Sequence, residues 1–179
     1  MHIRCLKESD MKEAVKLKIQ CWTEELAGEA ENSLSLMKEL PFWINWMNTE
    51  KQHKDIRMLI GAYEGDTMMG VAFASLAEEE DLPEKGIELN GLWVKPIYRG
   101  RGVAYSLIKV ILDFYQEQGM EKIVIYNLHH SPSNGFYKKL GAKVMREDLQ
   151  MDGKLRVDVF VGEIMEMLMR INHYKKWVV

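Results

Sequence analysis

Cysteine is nearly absent: Cys5 and Cys21 are the only two in 179 residues. So few thiols exclude a disulfide-stapled secreted scaffold and suit a reducing compartment. Their separation is not that of a metal-ligand set, so no metal is expected. Four prolines and 13 glycines rule out a collagenous or low-complexity chain. No run reaches the roughly 18 apolar residues of a spanning helix, so no membrane partner is expected. The opening MHIRCLKESD has no apolar core of a secretion signal. Basic charge is not in excess either: 24 Lys and Arg against 27 Asp and Glu give −3, which argues against a nucleic-acid binder that tracks phosphates. No fixed-period repeat appears. What remains is a cytoplasmic globular chain, long enough to bury its own core.

The hydrophobic pattern alternates between helical and strand periods. His2 to Leu6 reads as a first strand, and Asp10 with Glu13 as the capped start of a helix. Val15, Ile19, Trp22 and Leu26 form that helix's buried stripe, which Gly28 ends. A second helical stretch runs from Asn32 or Ser33 to Asn48, with Pro41 expected to split it or open its second half. Residues 57–63 and 67–76 read as a hairpin turning at Gly65-Asp66. An acidic loop at 78–85 precedes a strand at 87–94. A helix follows over 102–118 with Ala104, Leu107, Ile108, Ile111 and Tyr115 buried, stopped by Gly119. Then come a short strand at 123–126, a helix at 133–140, and strands at 143–147 and 155–161 about the Asp152-Gly153 turn. A last helix spans 163–177 and carries Ile164, Met167, Leu168, Ile171, Tyr174 and Trp177. It is expected to pack on its own domain or, slightly favoured, on a second copy as a homodimer. The class is mixed α and β, with a right-handed strand–helix–strand crossover at 87–126.

Val94-Lys95-Pro96-Ile97-Tyr98-Arg99-Gly100-Arg101-Gly102-Val103-Ala104 sets two glycines and two arginines between a strand and a helix. Glycine lets a ligand approach the backbone closely. A helix start offers unpaired N–H groups and the positive end of a dipole. The stretch therefore reads either as a pyrophosphate site or as a tight, solvated basic turn. It is neither a P-loop nor the dinucleotide fingerprint, so those nucleotide readings fall.

This stretch resembles the cofactor motif of the GNAT (Gcn5-related) N-acetyltransferases, V-x-P-x-x-[R/Q]-x-x-G-x-[G/A], through Val94, Pro96, Arg99, Gly102 and Ala104. A second element, Asn134-Gly135-Phe136-Tyr137-Lys138-Lys139-Leu140-Gly141-Ala142, is similar to the family's F-Y-x-x-x-G-[F/A] helix and also follows a buried strand. The resemblance covers residues 1–161, an acetyltransferase domain to which 162–179 would add a helical extension. It implies the acyl-CoA N-acyltransferase fold: a mostly antiparallel mixed sheet flanked by helices, its fourth and fifth strands splayed around acetyl-CoA. Backbone groups of Leu92, Trp93 and Val94 would pair with the pantetheine arm. Amides of Arg99, Gly100, Arg101, Gly102, Val103 and Ala104 would hold the pyrophosphate, with the arginine side chains adding contacts or pointing to water.

The implied reaction is acetyl transfer from acetyl-CoA to a primary amine of a small molecule or peptide, by direct attack in a ternary complex. The alternative is a non-catalytic acyl-CoA-binding module with a regulatory or interaction role. Transfer requires an amine to lose a proton and a thiolate to gain one, while a backbone N–H near Val94 would steady the developing oxyanion. Tyr137 matches the family tyrosine that protonates the thiolate; otherwise it is a core residue behind Phe136. Glu88 falls where many members carry a strand-four glutamate and shares a face with Asn90 and Leu92 by alternation. It is the candidate base, ordered water and a solvated strand-start carboxylate being the alternatives. His129 and His130 read as loop histidines, with no carboxylate at ligand spacing. Because members often carry asparagine where His130 stands, Asn134 is the candidate replacement for that coenzyme contact. Phe42, Trp43, Ile44 and Trp46 read first as core packing and second as an aromatic wall for the acceptor.

Overall fold

The computed structural model describes residues 1–26, 31–78 and 86–175, with Tyr174 and Lys175 as backbone alone. Gly28, the acidic run from Glu79 onward, the Tyr174 side chain and Trp177 lie outside what is described. The strands are β1 (His2–Cys5), β2 (Met58–Glu64), β3 (Thr67–Leu76), β4 (Gly86–Val94), β5 (Lys122–Leu128), β6 (Lys143–Gln150) and β7 (Leu155–Glu163). The helices are α1 (Glu8–Leu26), α2 (Leu36–Asn48), α3 (Val103–Glu117), α4 (Asn134–Lys139) and α5 (Ile164–Lys175). Strand order is β1-β2-β3-β4-β5-β7-β6 in one mixed sheet. No described helix is long and apolar enough to cross a membrane.

By packing the chain divides into two units, Met1–Ser75 with Gly91–Ile108, and Leu76–Asn90 with Lys109–Val179. In the first, β1, β2 and β3 form an antiparallel meander. Met11, Val15, Leu17, Trp43, Met68, Val71, Phe73 and Trp93 make its core, where burial of apolar surface supplies most of the stabilisation. Helix α1 starts at Glu8 rather than at Asp10. Asp10 is the third helical residue, and its carboxylate reaches back to accept the Lys7 amide at 2.7 Å, the returning half of a capping box. Pro41 lies inside α2, which runs unbroken. The lost backbone bond is offset by burial of Trp43, with Leu36, Leu40, Ile44 and Met47 packed on the same core.

Asp10 also pairs both oxygens with Arg4, at 2.7 and 3.0 Å. That hydrogen-bonded guanidinium holds the Asp10 carboxyl down to about 2. A carboxylate with a depressed folded pKa stabilises the fold above its unfolded pKa and loses that contribution as pH falls. Asp10→Asn is therefore expected to lower stability at neutral pH slightly and to flatten the acid limb between pH ~4 and ~2. Urea unfolding at stepped pH checks this; parallel curves for the two proteins would refute it.

In the second unit β4 and β5 run parallel, the arrangement a crossover through α3 demands. Their ladder consists of Gly86↔Lys122, Ile87↔Ile123 and Glu88↔Val124, although β5 continues to Leu128. The pair thus parts beyond Glu88. Strand β5 is longer than its β-branched run suggests because every residue from Lys122 to Leu128 pairs with β7. Helix α5 buries Ile164, Met167, Leu168 and Ile171. It lies so close to β7 that a Cβ at Gly162 would meet the Met167 sulfur at 2.5 Å. Met165 and Met169 are 62% exposed on its other face.

Candidate active site

The glycine turn belongs to the first unit. After β4 the chain makes a 3-10 turn at Pro96–Tyr98, and α3 begins at Val103. Gly100 and Gly102 have φ of +74° and +77°, a region closed to most L-residues. The first helical bond returns from the Ser106 N–H to the Gly102 carbonyl at 3.0 Å, so the amides of Gly102, Val103 and Ala104 precede the ladder. The Arg99 amide is already given to the Pro96 carbonyl at 3.2 Å. A Cβ on either glycine would meet nothing among the described residues within 4 Å, so the turn faces open space between them.

The arginine side chains of this turn differ from one another. Arg99 bends back to α1, where its Nη2 donates to Glu24 at 2.5 Å and approaches the Cys21 sulfur at 3.6 Å. Its Nε donates to the Val94 carbonyl at 3.1 Å. Arg99 therefore braces the end of β4 against α1. Arg101 stands over the Tyr98 ring, 5.5 Å from its centroid. Burial pushes the Cys21 thiol up, which keeps it protonated. The Lys95 amide donates to the Met69 carbonyl at 2.9 Å, tying β4 to β3. Leu92 and Val94 are half-buried and Trp93 is buried. Only glycine fits at 91, because a Cβ there would lie 2.0 Å from the Trp93 ring.

The aromatic cluster of α2 is core. Trp43 packs edge-on to Trp46 at 5.3 Å and against Phe73 at 5.1 Å, and its indole N–H donates to Glu39 at 3.1 Å. The cations of this cluster are the chain's own: Lys18 pairs with Glu39 and stands 4.8 Å from the Trp43 ring, and Arg57 stands 4.5 Å from that of Trp46. Of the four residues Phe42, Trp43, Ile44 and Trp46, Phe42 alone is exposed, at 56%.

In the second unit the turn from β5 into α4 is held by a side-chain network. Asn127 donates to Ser133 Oγ at 2.8 Å and to Asn134 Oδ1 at 2.6 Å. Asn134 in turn donates to the carbonyls of Leu128 and His129, at 3.0 and 2.9 Å. Its buried side chain is thus engaged within the chain, and it acts by fixing the turn that launches α4. Tyr137, one turn later, is buried against Phe136 and Phe160, with ring centroids 5.4 and 5.9 Å away. On β4, Glu88 is half-buried at the last rung shared with β5.

One constellation escaped the sequence reading. His129 does lie in a turn, its ring 4.5 Å from that of His130. Yet its Nδ1 lies 2.6 Å from the buried Asp158 carboxylate and 4.0 Å from Glu147. Asp158 and Glu147 are paired residues of β7 and β6, so it is strand pairing that brings carboxylates to the histidine. The three ligand atoms lie within 4.8 Å of one another. The chain itself supplies a partner to each carboxylate: the His129 ring faces Asp158, and Arg156 donates to Glu147 through Nε at 2.7 Å.

Comparison with known proteins places these features in context. The model of the acetyltransferase (GNAT) family matches residues 16–142. Human N-acetyltransferase 8B is 31% identical over 80 residues, covering 44% of this chain and 35% of that protein's length. Among solved structures, an N-acetyltransferase from Staphylococcus aureus Mu50 superposes with TM-score 0.71 at 16% identity, covering 91% of this chain and 98% of that one. The PaiA N-acetyltransferase of Thermoplasma acidophilum, in complex with coenzyme A, gives 0.67 at 18% identity over 90% and 98%. YncA of Salmonella typhimurium, a putative acetyltransferase with its cofactor acetyl-CoA, gives 0.70 at 16% over 92% and 94%.

Proposed function

Since the chain belongs to the GNAT acetyltransferase family, we propose that it transfers the acetyl group of acetyl-CoA to a primary amine of a small molecule or peptide. The observation that carries this reading is the glycine turn ahead of α3, with its helix-start amides outside the ladder and open space before them. In this reading the amides from Gly100 to Ala104 receive the pyrophosphate, and the backbone of Leu92, Trp93 and Val94 pairs with the pantetheine arm. Arg99 contributes by bracing the turn, and Asn134 by fixing the start of α4. Nitrogen as the acceptor atom is supported by the human relative, an N-acetyltransferase.

The amine nitrogen attacks the thioester carbonyl, forming the C–N bond as the C–S bond breaks. Glu88, directly or through water, takes the amine's proton, and the Tyr137 hydroxyl returns one to the departing thiolate. An N–H near Val94 meets the charge that develops on the carbonyl oxygen. The proposal places the enzyme in the cytoplasm, in keeping with its two free thiols. It also makes Met165 and Met169 the α5 residues that a homodimer would cover.

The test is coenzyme A release from acetyl-CoA, followed by chromatography, with spermidine, Nα-acetyl-lysine, an alanine-terminated peptide and kanamycin as acceptors. Amine-dependent release with matching acetylated product is expected. Acetyl-CoA that raises the melting temperature but is consumed with none of these amines would favour a non-catalytic binding module.

A further inference from the structure

Two buried side-chain oxygens among the described residues lack a hydrogen-bond partner: Tyr63 Oη and Asn90 Oδ1. They differ in setting. Tyr63 lies in the packed corner beside β1, its ring 4.1 Å from the Arg4 guanidinium, and burial pushes its hydroxyl up to about 12. Asn90 is on β4, two residues past Glu88↔Val124, the last rung of the β4–β5 ladder. A buried acceptor without a donor is costly, and folded proteins keep few of them. An orphan oxygen where two strands part is one that a bound donor can satisfy.

Strand alternation puts Asn90 on the face of Glu88, about 6.5 Å along the chain. Side chains on one strand face can converge so that a carboxylate and an amide oxygen both accept from one neutral primary amine, whose two N–H groups supply one donor to each while its lone pair stays free. We infer that Asn90 is a binding residue for the acceptor: its Oδ1 accepts an N–H of the substrate amine and so turns the nitrogen lone pair toward the thioester. The second N–H is left for Glu88. This rests on the amine-acetyltransferase reading and adds to it the residue that recognises the reacting nitrogen. A nitrogen without hydrogens gives Asn90 nothing to accept.

Two variants separate this role from packing. Asn90→Leu keeps the branched shape and removes the oxygen; Asn90→Asp keeps an acceptor at the same place. Initial rates are measured with whichever probe amine of the four above the wild-type protein acetylates, alongside thermal melts with and without acetyl-CoA. Asn90→Leu is expected to melt no lower than wild type and to keep its stabilisation by acetyl-CoA. Its KM for the amine should rise about tenfold, the scale of a buried N–H left without its acceptor. Asn90→Asp is expected to hold KM near the wild-type value. Equal rises in both variants would make shape rather than the oxygen responsible and overturn the inference. So would a lower melting temperature of Asn90→Leu with KM unchanged. Lost acetyl-CoA stabilisation would instead make Asn90 a coenzyme contact. Should the wild-type protein acetylate none of the four amines, the transferase reading fails first, in an arm that involves no variant, and this inference falls with it.

Discussion

Gly102→Val should abolish useful acetyl-CoA binding while leaving the protein folded. Two effects act together at this position. The backbone at φ +77° is unfavourable for a β-branched residue, a strain of about 1–3 kcal/mol. The new side chain also enters the open space before the turn, where the pyrophosphate is proposed to lie. Loss of two charge-assisted amide bonds at about 1.5 kcal/mol each weakens binding roughly a hundredfold. Gly153 provides the control, because its φ is +82° and a Cβ there also meets none of the described residues within 4 Å, but it belongs to the β6–β7 turn. Gly153→Val carries similar strain and should bind acetyl-CoA as wild type does. Calorimetric titration of both variants decides the matter. If Gly102→Val binds normally, the pyrophosphate lies elsewhere; if both variants lose binding, strain rather than occupied space is the cause.

That turn was legible in the sequence because its signal is local. Two glycines at a strand-to-helix junction permit positive φ at little cost wherever the rest of the chain goes, and the structure gives both of them that conformation. The stripe of α3 was legible for the same reason: Leu107, Ile108, Ile111 and Tyr115 are all buried at helical spacing, while Ala104, expected with them, is half-buried at the helix start. Local rules misled where tertiary packing outweighs them. Pro41 is a helix breaker by propensity, yet the burial of Trp43 carries α2 through it. The His129, Glu147 and Asp158 constellation had no sequence signal at all. Its members come from a turn and two later strands, and only the order β5-β7-β6 and its register join them. Lys18 is similar: its sequence position shows a lysine on a helix, while its cation–π contact with Trp43 depends on how α1 meets α2. Asn90 was half legible, since alternation places it with Glu88, but that its oxygen finds no donor among the described residues emerges only from the folded chain.

Tyr137→Phe should lower kcat by about a hundredfold or more, the scale of a lost general acid, with little change in acetyl-CoA affinity. The ring would keep its packing, because its contacts to Phe136 and Phe160 are made by carbon atoms that phenylalanine retains. Stability should therefore stay within about 1 kcal/mol of wild type. The division between kcat and affinity is the informative readout. A tyrosine that served only the core would, when altered, shift the melting temperature and leave turnover per folded molecule intact. One that merely held the coenzyme would weaken acetyl-CoA binding and leave kcat near normal at saturation. A drop confined to kcat matches an interaction made only as the C–S bond breaks, when the sulfur first carries the charge that a phenolic proton can neutralise. Turnover unchanged across several pH values would remove Tyr137 from the mechanism and leave the thiolate to be protonated by water.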